Sequence, residues 1–212
     1  MKKLIAYCLY GTDPLYLENM KVNEKLAQEM YQDWTVRIYT DLDYQPINPK
    51  TEVARCFPHQ GTNLMFARFL AAADPEVERV IFRDADSWLS VREKAAVDEW
   101  ISHGTDFHVM RDHPDHAVWP MLGGMWGVRG GVLKEMKEAI KSWPSHTIKL
   151  DDMRFLQQQI WPMATKSLTH HSSVVTNHEP SPMPFPEDRI AGNGHKPVFH
   201  VGQIMRAVPQ RA

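Results

Sequence analysis

Apolar strands alternate with amphipathic helices in the first half of the chain, and this alternation constrains the fold most. The apolar run over residues 4–10 stops at a Gly-Thr-Asp-Pro sequence, where Thr12 or Asp13 can cap a helix and the proline suits its first turn. Apolar residues recur near helical spacing over residues 16–31, and residues 36–39 alternate as a strand. The chain is therefore expected to begin with a βαβ unit.

A second strand-to-helix transition follows a long connection. Residues 42–62 are rich in proline, which is typical of an irregular functional loop, and residues 63–73 predict a helix. An aliphatic strand over residues 77–82 then leads directly into Arg83-Asp84-Ala85-Asp86. The Ser-Val-Arg-Glu sequence of residues 90–93 is a capping box that predicts the start of the next helix.

The second half of the chain has a looser pattern. We predict strands over 107–110, 125–128 and 198–201, and helices over 132–140 and 151–161, the second closed by Pro162. Residues 179–186 contain four prolines and predict no regular structure. The fold class is therefore α/β: a single Rossmann-like domain over residues 1–212, with a mixed sheet flanked by helices.

Composition excludes several classes of protein. The 24 Lys+Arg and 26 Asp+Glu give a net charge of -2 without a basic block, which argues against a nucleic-acid partner. No apolar stretch reaches the roughly 18 residues of a membrane span, and the first residues do not form a signal peptide. Cys8 and Cys56 form no CxxC pair, which fits the cytoplasm. Whether the chain is part of a longer polypeptide stays open at this point.

Polar residues follow the predicted strands at the edge where open α/β sheets bind ligands. Asp84 and Asp86 lie one residue apart on a turn, and such hard oxygen ligands hold Mg²⁺ or Mn²⁺ while leaving positions for phosphate oxygens. Asp41 and Asp43 have the same spacing but lead into the proline-rich loop. The aliphatic strand before Asp84 and the capped helix after Asp86 favour the second pair.

Four segments, in this order, resemble motifs of the nucleotide-sugar-dependent glycosyltransferases of the GT-A fold. Residues 80–87 resemble their DxD segment, and Gly123-Gly124-Met125-Trp126-Gly127 resembles a sugar-binding turn. Residues 152–156 are similar to an Asp-Gln-x-x-Leu helix, and Phe199-His200-Val201-Gly202 resembles the late His-x-Gly of glycogenin-like retaining enzymes. The resemblance covers nearly the whole chain and is strongest to the glycosyltransferases that chlorella viruses encode.

The resemblance implies a metal-dependent enzyme that moves a hexose or deoxyhexose from a UDP-sugar to a glycan or glycoprotein acceptor. Asp86 would chelate the metal, Asp84 would reach the metal or the ribose, and His200 would complete the ligands. An imidazole ligand favours Mn²⁺, although Mg²⁺ is also compatible with the carboxylates. Residues 1–88 would form the nucleotide-binding half, and residues 89–212 the acceptor and sugar half.

Further residues are candidates for the donor site. Arg68 and Arg83 can fork onto a diphosphate. The late motif lacks the Lys-Pro-Trp continuation of the glycogenin type, so Arg206 or Lys196 could also supply a cation. The remaining candidates for binding the nucleotide or the sugar are Tyr10, Gly11, Thr12, Asp41, Gly123, Gly124, Trp126 and Gly202.

Inversion and retention of configuration at the transferred sugar would require different residues. An inverting enzyme needs a carboxylate base on the acceptor hydroxyl, for which Asp152, Asp112 and Asp115 are candidates. A retaining enzyme needs none if the leaving phosphate takes the proton, and the glycogenin-like order of motifs favours retention. Met153 stands where the family often has Gln.

Two other functions remain as alternatives. A noncatalytic carbohydrate-binding module would explain the seven tryptophans but not the carboxylates at the strand end. A nucleotidyl or phosphoryl transferase could use the same acidic pair, but it would require a Gly-rich, Lys-bearing loop near the N-terminus. Residues 11–14 do not provide such a loop.

Overall fold

The strands of the computed structural model form one seven-stranded mixed sheet. The structure describes residues 1–56, 64–144, 150–178, 182–189 and 199–205. The strands are β1 (Lys2–Leu9), β2 (Trp34–Thr40), β3 (Thr51–Arg55), β4 (Val77–Arg83), β5 (Phe107–Arg111), β6 (Trp126–Arg129) and β7 (Leu168–Ser172).

Helices flank this sheet. They are α1 (Pro14–Met30), α2 (Val91–His103), α3 (Met136–Ser142), α4 (Asp151–Phe155) and α5 (Trp161–Ala164). Two 3-10 helices span Leu64–Ala73 and Pro114–Val118, and a π-helical turn, Leu156–Ile160, joins α4 to α5. Within the described residues, no helix is both long and apolar enough to cross a membrane.

The order of the strands across the sheet is β3-β2-β1-β4-β6-β5-β7. Strand β6 runs antiparallel to its neighbours β4 and β5, and every other neighbouring pair is parallel. Ile5 of β1 lies opposite Val36 of β2 and Ile81 of β4, so the central strands present continuous apolar rows. Because β1 and β4 are parallel neighbours, their carboxyl ends lie side by side at one edge of the sheet.

Two apolar clusters cover the faces of the sheet. One packs the 3-10 helix Leu64–Ala73 and helices α3 and α4 on the sheet, with Phe69 at edge-to-face distance from Phe82 and Trp126. The other joins α1 and α2 to the opposite face through Met20 and Trp100. This layered burial confirms the α/β class expected from the sequence.

Both predicted helix caps are confirmed. The Asp13 side chain accepts a hydrogen bond from Leu15 N at 2.9 Å, and Pro14 is the first residue of α1. Ser90 Oγ accepts from Glu93 N at 3.2 Å at the start of α2. Such caps satisfy backbone donors that have no partner within the helix.

Three predictions of secondary structure are wrong. The connection over residues 42–62 contains β3, which pairs in parallel with β2 at the edge of the sheet; residues 57–63 lie outside the described chain. The helix beginning at Asp151 does not close at Pro162, because the proline lies in the first turn of α5, where its missing N–H is tolerated. Residues 199–201 form no strand, residue 198 is not described, and the last strand is β7.

Candidate functional site

A cavity of about 460 Å³ opens at the carboxyl ends of β1 and β4. Asp84 and Asp86 lie on the turn that follows β4 and border this cavity, together with the buried Arg68. The described residues that line it are Cys8, Tyr10, Tyr16, Met65, Arg68, Asp84, Ala85, Asp86, Leu150, Gly202 and Ile204. The predicted carboxylate pair is thus placed on a cavity at the ligand-binding edge of the sheet.

Arg68 connects the two acidic segments of the site. Its Nη1 donates to Asp84 Oδ1 at 2.5 Å and to the carbonyl of Arg83 at 2.9 Å, and its Nη2 lies 3.4 Å from Asp152 Oδ2. Burial alone would lower the pKa of this guanidinium, but Asp84, Cys8 and Asp152 raise it above its usual value. Arg68 is therefore a fixed positive charge at the base of the cavity.

Asp86 and Asp152 each have a raised carboxyl pKa. Burial and the neighbouring Asp84 charge raise the pKa of Asp86 to about 6. Burial also raises the pKa of Asp152, and Arg68 opposes this shift. The acidic turn is thus rich in negative charge that Arg68 balances only in part, which suits a cationic ligand.

The Gly123-Gly124 turn packs directly on this charged cluster. A Cβ atom at Gly123 would collide with Asp152 and Arg68, and a Cβ atom at Gly124 would collide with the Asp84 carboxylate. Only glycine allows the backbone to approach these side chains so closely. Neither glycine lines the cavity, and the role of this turn in sugar binding stays a prediction.

Residues 199–205, which we call the strap, run past the acidic turn. Met205 N donates to the carbonyl of Asp86 at 2.7 Å, and Ile204 forms a β-bridge with Ser87. Gly202 lines the cavity with a φ of +81°, a left-handed conformation that favours glycine. Arg206 and Lys196, the other candidate cations, lie outside the described residues.

His200 lies on the strap but is not among the described residues that line the cavity. It stacks on His113 at 4.6 Å between ring centroids and meets His116 edge-on at 5.2 Å. Its Nδ1 lies 3.0 Å from the carbonyl of Val201. Across the described ranges, no group of three or more His, Cys, Asp or Glu side chains is arranged to hold a metal ion.

Residues after β1 and β2 were predicted to bind the nucleoside. Tyr10 is 39% exposed and lines the cavity, whereas Gly11 and Thr12 lie exposed on the following turn without lining it. Asp41 follows β2, and its Oδ1 is buried with no hydrogen-bond partner among the described residues. A buried acceptor without a partner suits a ligand N–H group.

Two predicted ligand-binding side chains point into the core. Arg83 donates from Nε to Glu93 Oε1 at 2.5 Å and is 3% exposed, because successive side chains of β4 face opposite sides of the sheet. Trp126 is fully buried and stacks on Phe82 at 4.2 Å. The prediction that these two side chains contact a diphosphate or a sugar is therefore wrong in this structure.

The three candidate bases occupy different environments. Asp152 is 3% exposed and lies 3.4 Å from Arg68 Nη2. Asp115 is exposed on the 3-10 helix Pro114–Val118, and neither carboxylate lines the cavity. Asp112 is fully buried, and both of its oxygens accept hydrogen bonds. Burial alone would raise the pKa of Asp112, but hydrogen bonds from Arg92, Ser173 and Val201 lower it to about 2. Asp112 therefore serves as an anchor in the fold.

Sequence reasoning did not name six of the cavity-lining residues as candidates for the site: Cys8, Tyr16, Met65, Ala85, Leu150 and Ile204. Tyr16 could have been predicted as a lining residue, because it lies in the first turn of α1, the helix that follows β1. Leu150 has a φ of +70°, and no other non-glycine residue in the described chain has a positive φ. Nothing in the local sequence predicts that conformation.

Several solved structures resemble this chain, among them two glycosyltransferases. A glycosyltransferase involved in the glycosylation of the major capsid of PBCV-1 aligns over 79% of this chain and 80% of its own, with 14% identity and a TM-score of 0.50. A mannosyltransferase from Pyrobaculum calidifontis, in complex with GDP-Man and Mn²⁺, aligns over 84% of this chain at 12% identity and a TM-score of 0.50. This chain covers 55% of that mannosyltransferase.

No protein-family model and no curated protein matches the chain. The structural matches cover 79% and 84% of this chain, and at 14% and 12% identity they do not carry function by themselves. At a TM-score of 0.50 they show the fold alone. The chain therefore has the GT-A fold of the nucleotide-sugar glycosyltransferases.

Proposed function

We propose that the chain is a glycosyltransferase that moves a sugar from a nucleoside-diphosphate donor to a glycan acceptor. The observation that carries this proposal is the position of Asp84 and Asp86. They border a cavity at the carboxyl end of β4, with Arg68 at its base and Gly202 on its wall. A carbohydrate-binding module would have no use for a carboxylate pair and a buried cation at this edge.

A divalent cation fits the donor set at this turn. Asp84 and Asp86 offer hard carboxylate oxygens to the cavity, and phosphate oxygens of the donor can supply further ligands. When bound, Mn²⁺ or Mg²⁺ would neutralise charge on the leaving diphosphate. His200 can join these ligands only if its ring leaves the stack on His113.

Several residues are suited to orient the donor. Tyr10 and Tyr16 present partly exposed rings to the cavity, on which a nucleobase can stack. Asp41 Oδ1 offers a buried acceptor to a base N–H group. We assign the nucleotide to residues 1–88, and the sugar and acceptor to residues 89–212, where Asp152 and the Gly123-Gly124 turn approach Arg68.

UDP is the donor nucleotide favoured by the motif resemblance, and GDP is the competitor because one structural neighbour binds GDP-Man. We favour retention of configuration. Among the described residues that line the cavity, the only carboxylates are Asp84 and Asp86, which leaves no separate base for an inverting reaction. The leaving phosphate can then accept the proton of the acceptor hydroxyl.

Donor cleavage tests this function directly. In the presence of Mn²⁺, the wild-type protein should release UDP from a UDP-hexose or GDP from a GDP-hexose. This release should be slow when no acceptor is present. Asp84→Asn should lose this activity, whereas Asp43→Asn should retain it, because Asp43 is exposed on the loop after β2. Equal activity in wild type and Asp84→Asn, or none with any nucleotide sugar, would refute the proposed function.

A further inference from the structure

The fully buried Asp112 carboxylate accepts hydrogen bonds from residues of four different segments. Arg92 of α2 donates to both oxygens, at 3.0 and 2.9 Å, and Ser173 Oγ donates to Oδ1 at 2.6 Å. Arg189 Nε donates to Oδ1 at 3.2 Å, and Val201 N donates to Oδ2 at 3.0 Å. This carboxylate therefore joins α2, the residue after β7, and the segments 182–189 and 199–205.

The charges around Asp112 make its carboxylate hard to replace. Arg92 and Arg189 both lie against it, and the Arg92 guanidinium also lies 4.0 Å from the centre of the Phe185 ring. An amide at this position would leave the two cations without their shared counter-charge. It would also lose at least one acceptor, since an amide nitrogen donates and does not accept.

The bond to Val201 connects this anchor to the donor cavity. Val201 is followed in the strap by Gly202 and Ile204, which line the cavity. At its far end the strap is held by Met205, whose N–H donates to Asp86 and whose carbonyl accepts from Asn19 Nδ2, both at 2.7 Å. The wall of the cavity is thus fixed at one end by Asp112 and at the other by the acidic turn.

We propose that Asp112 is a positioning residue for donor binding, which holds the strap in place through Val201 N without touching the donor. This inference rests on the proposed function for its ligand, but the anchoring of the strap does not. Loss of the carboxylate should free the Val201 end while the Met205 end stays bonded to Asp86. Gly202 and Ile204 would then sample positions that do not fit the donor.

Asp112→Asn tests the proposal, with Asp106→Asn as the matched control. Asp106 also forms an ion pair with an arginine, Arg129, but at the opposite strand ends. Asp112→Asn should raise the donor KM about tenfold and change kcat by less than about threefold, since a hydrogen bond to a charged group contributes about that much free energy. Asp106→Asn should leave both constants unchanged.

Amide hydrogen exchange without any nucleotide separates this inference from the proposed function. The amide of Val201 should exchange at least about tenfold faster in Asp112→Asn, while the amides of Met205, β1 and β4 stay protected. Ser173→Ala removes one bond from the same carboxylate and should give a smaller increase at Val201, even if Asp112→Asn does not fold. Unchanged exchange in the strap would overturn the inference, and so would an unchanged donor KM in an active enzyme.

Discussion

Arg68 Nη1 lies 2.5 Å from Asp84 Oδ1, and the other terminal nitrogen of the same guanidinium lies 3.4 Å from Asp152 Oδ2. One buried cation therefore holds together the turn after β4 and the start of α4. Removing one partner of such a buried group leaves an uncompensated charge, whereas removing both partners can cost little. Arg68, Asp84 and Asp152 thus form one electrostatically coupled unit, and mutations within it should not act independently.

Arg68→Met should lower the free energy of unfolding by about 3 kcal/mol, because Asp84 and Asp152 lose their buried cation. The double variant Arg68→Met/Asp152→Asn should be more stable than the single variant by about 1 kcal/mol or more, since one stranded carboxylate is removed. Urea unfolding of the wild type, both single variants and the double variant measures this coupling. Strictly additive changes in the free energy of unfolding would contradict this coupling.

Gly124→Ala should abolish donor cleavage by displacing the Asp84 carboxylate, which a Cβ atom at residue 124 would contact. Gly131→Ala is the matched control. Gly131 has a φ of +80°, but a Cβ atom there would make only an ordinary contact, 3.8 Å from Lys134 Cε, so the substitution should cost about 1 kcal/mol of stability and no activity. Donor cleavage and thermal unfolding of the two variants distinguish the effects, and an active Gly124→Ala would count against the site geometry.

Protein stability should fall as the pH drops below about 6.5. His108 Nε2 lies 2.9 Å from His171 Nδ1, and His171 Nε2 lies 3.0 Å from Glu99 Oε2. Burial and the charges of the neighbouring histidines and Arg83 hold the pKa of His108 well below its usual value. Burial also lowers the pKa of His171, although Glu99 opposes this shift.

Both imidazoles therefore stay neutral in the folded state, while they bind protons in the unfolded state below the unfolded pKa. Their contribution to stability is complete above that pKa and is lost as the pH falls towards the folded pKa. Urea midpoints measured between about pH 7.5 and 5 should decline in the wild type and decline less in His108→Gln. Parallel declines in the two proteins would mean that His108 does not cause the effect.

Leu150→Asn should retain or raise stability, because asparagine tolerates the left-handed conformation that Leu150 adopts at a φ of +70°. Leu150→Ile should instead lower stability by about 1 to 2 kcal/mol, since a branched Cβ is least compatible with that backbone. Leu150 is 40% exposed, so lost burial contributes little to either result. Thermal unfolding of the two variants checks the order of their stabilities.

Elements with strong local patterns were predictable from the sequence. Strands β1 and β4 contain the apolar runs 4–9 and 80–82, and Asp13 and Ser90 mark the helix starts. Strand β3 was missed because its pairing with β2 at the sheet edge depends on tertiary structure. Strand β7 carries polar residues such as His170 and His171, which are buried only because partners such as Arg111 and Glu99 are available.

Part of the candidate site was also predictable from the sequence. Asp84, Asp86 and Arg68 were identified because they lie next to recognisable strands and helices. Arg83 and Asp112 were misplaced, since sequence does not reveal which titratable groups pair with one another in the interior. Metal coordination by His200 stays a prediction.

Nucleotide binding measured by calorimetry, with and without Mn²⁺, tests the central claim most directly. The account predicts that UDP or GDP binds the wild type only with the metal, that Asp86→Asn weakens binding at least about tenfold, and that Asp43→Asn binds like the wild type. Asp43 is the matched control because it belongs to the other Asp-x-Asp pair and is exposed. Binding that ignores the metal, or that survives Asp86→Asn unchanged, would contradict the assignment of the donor site.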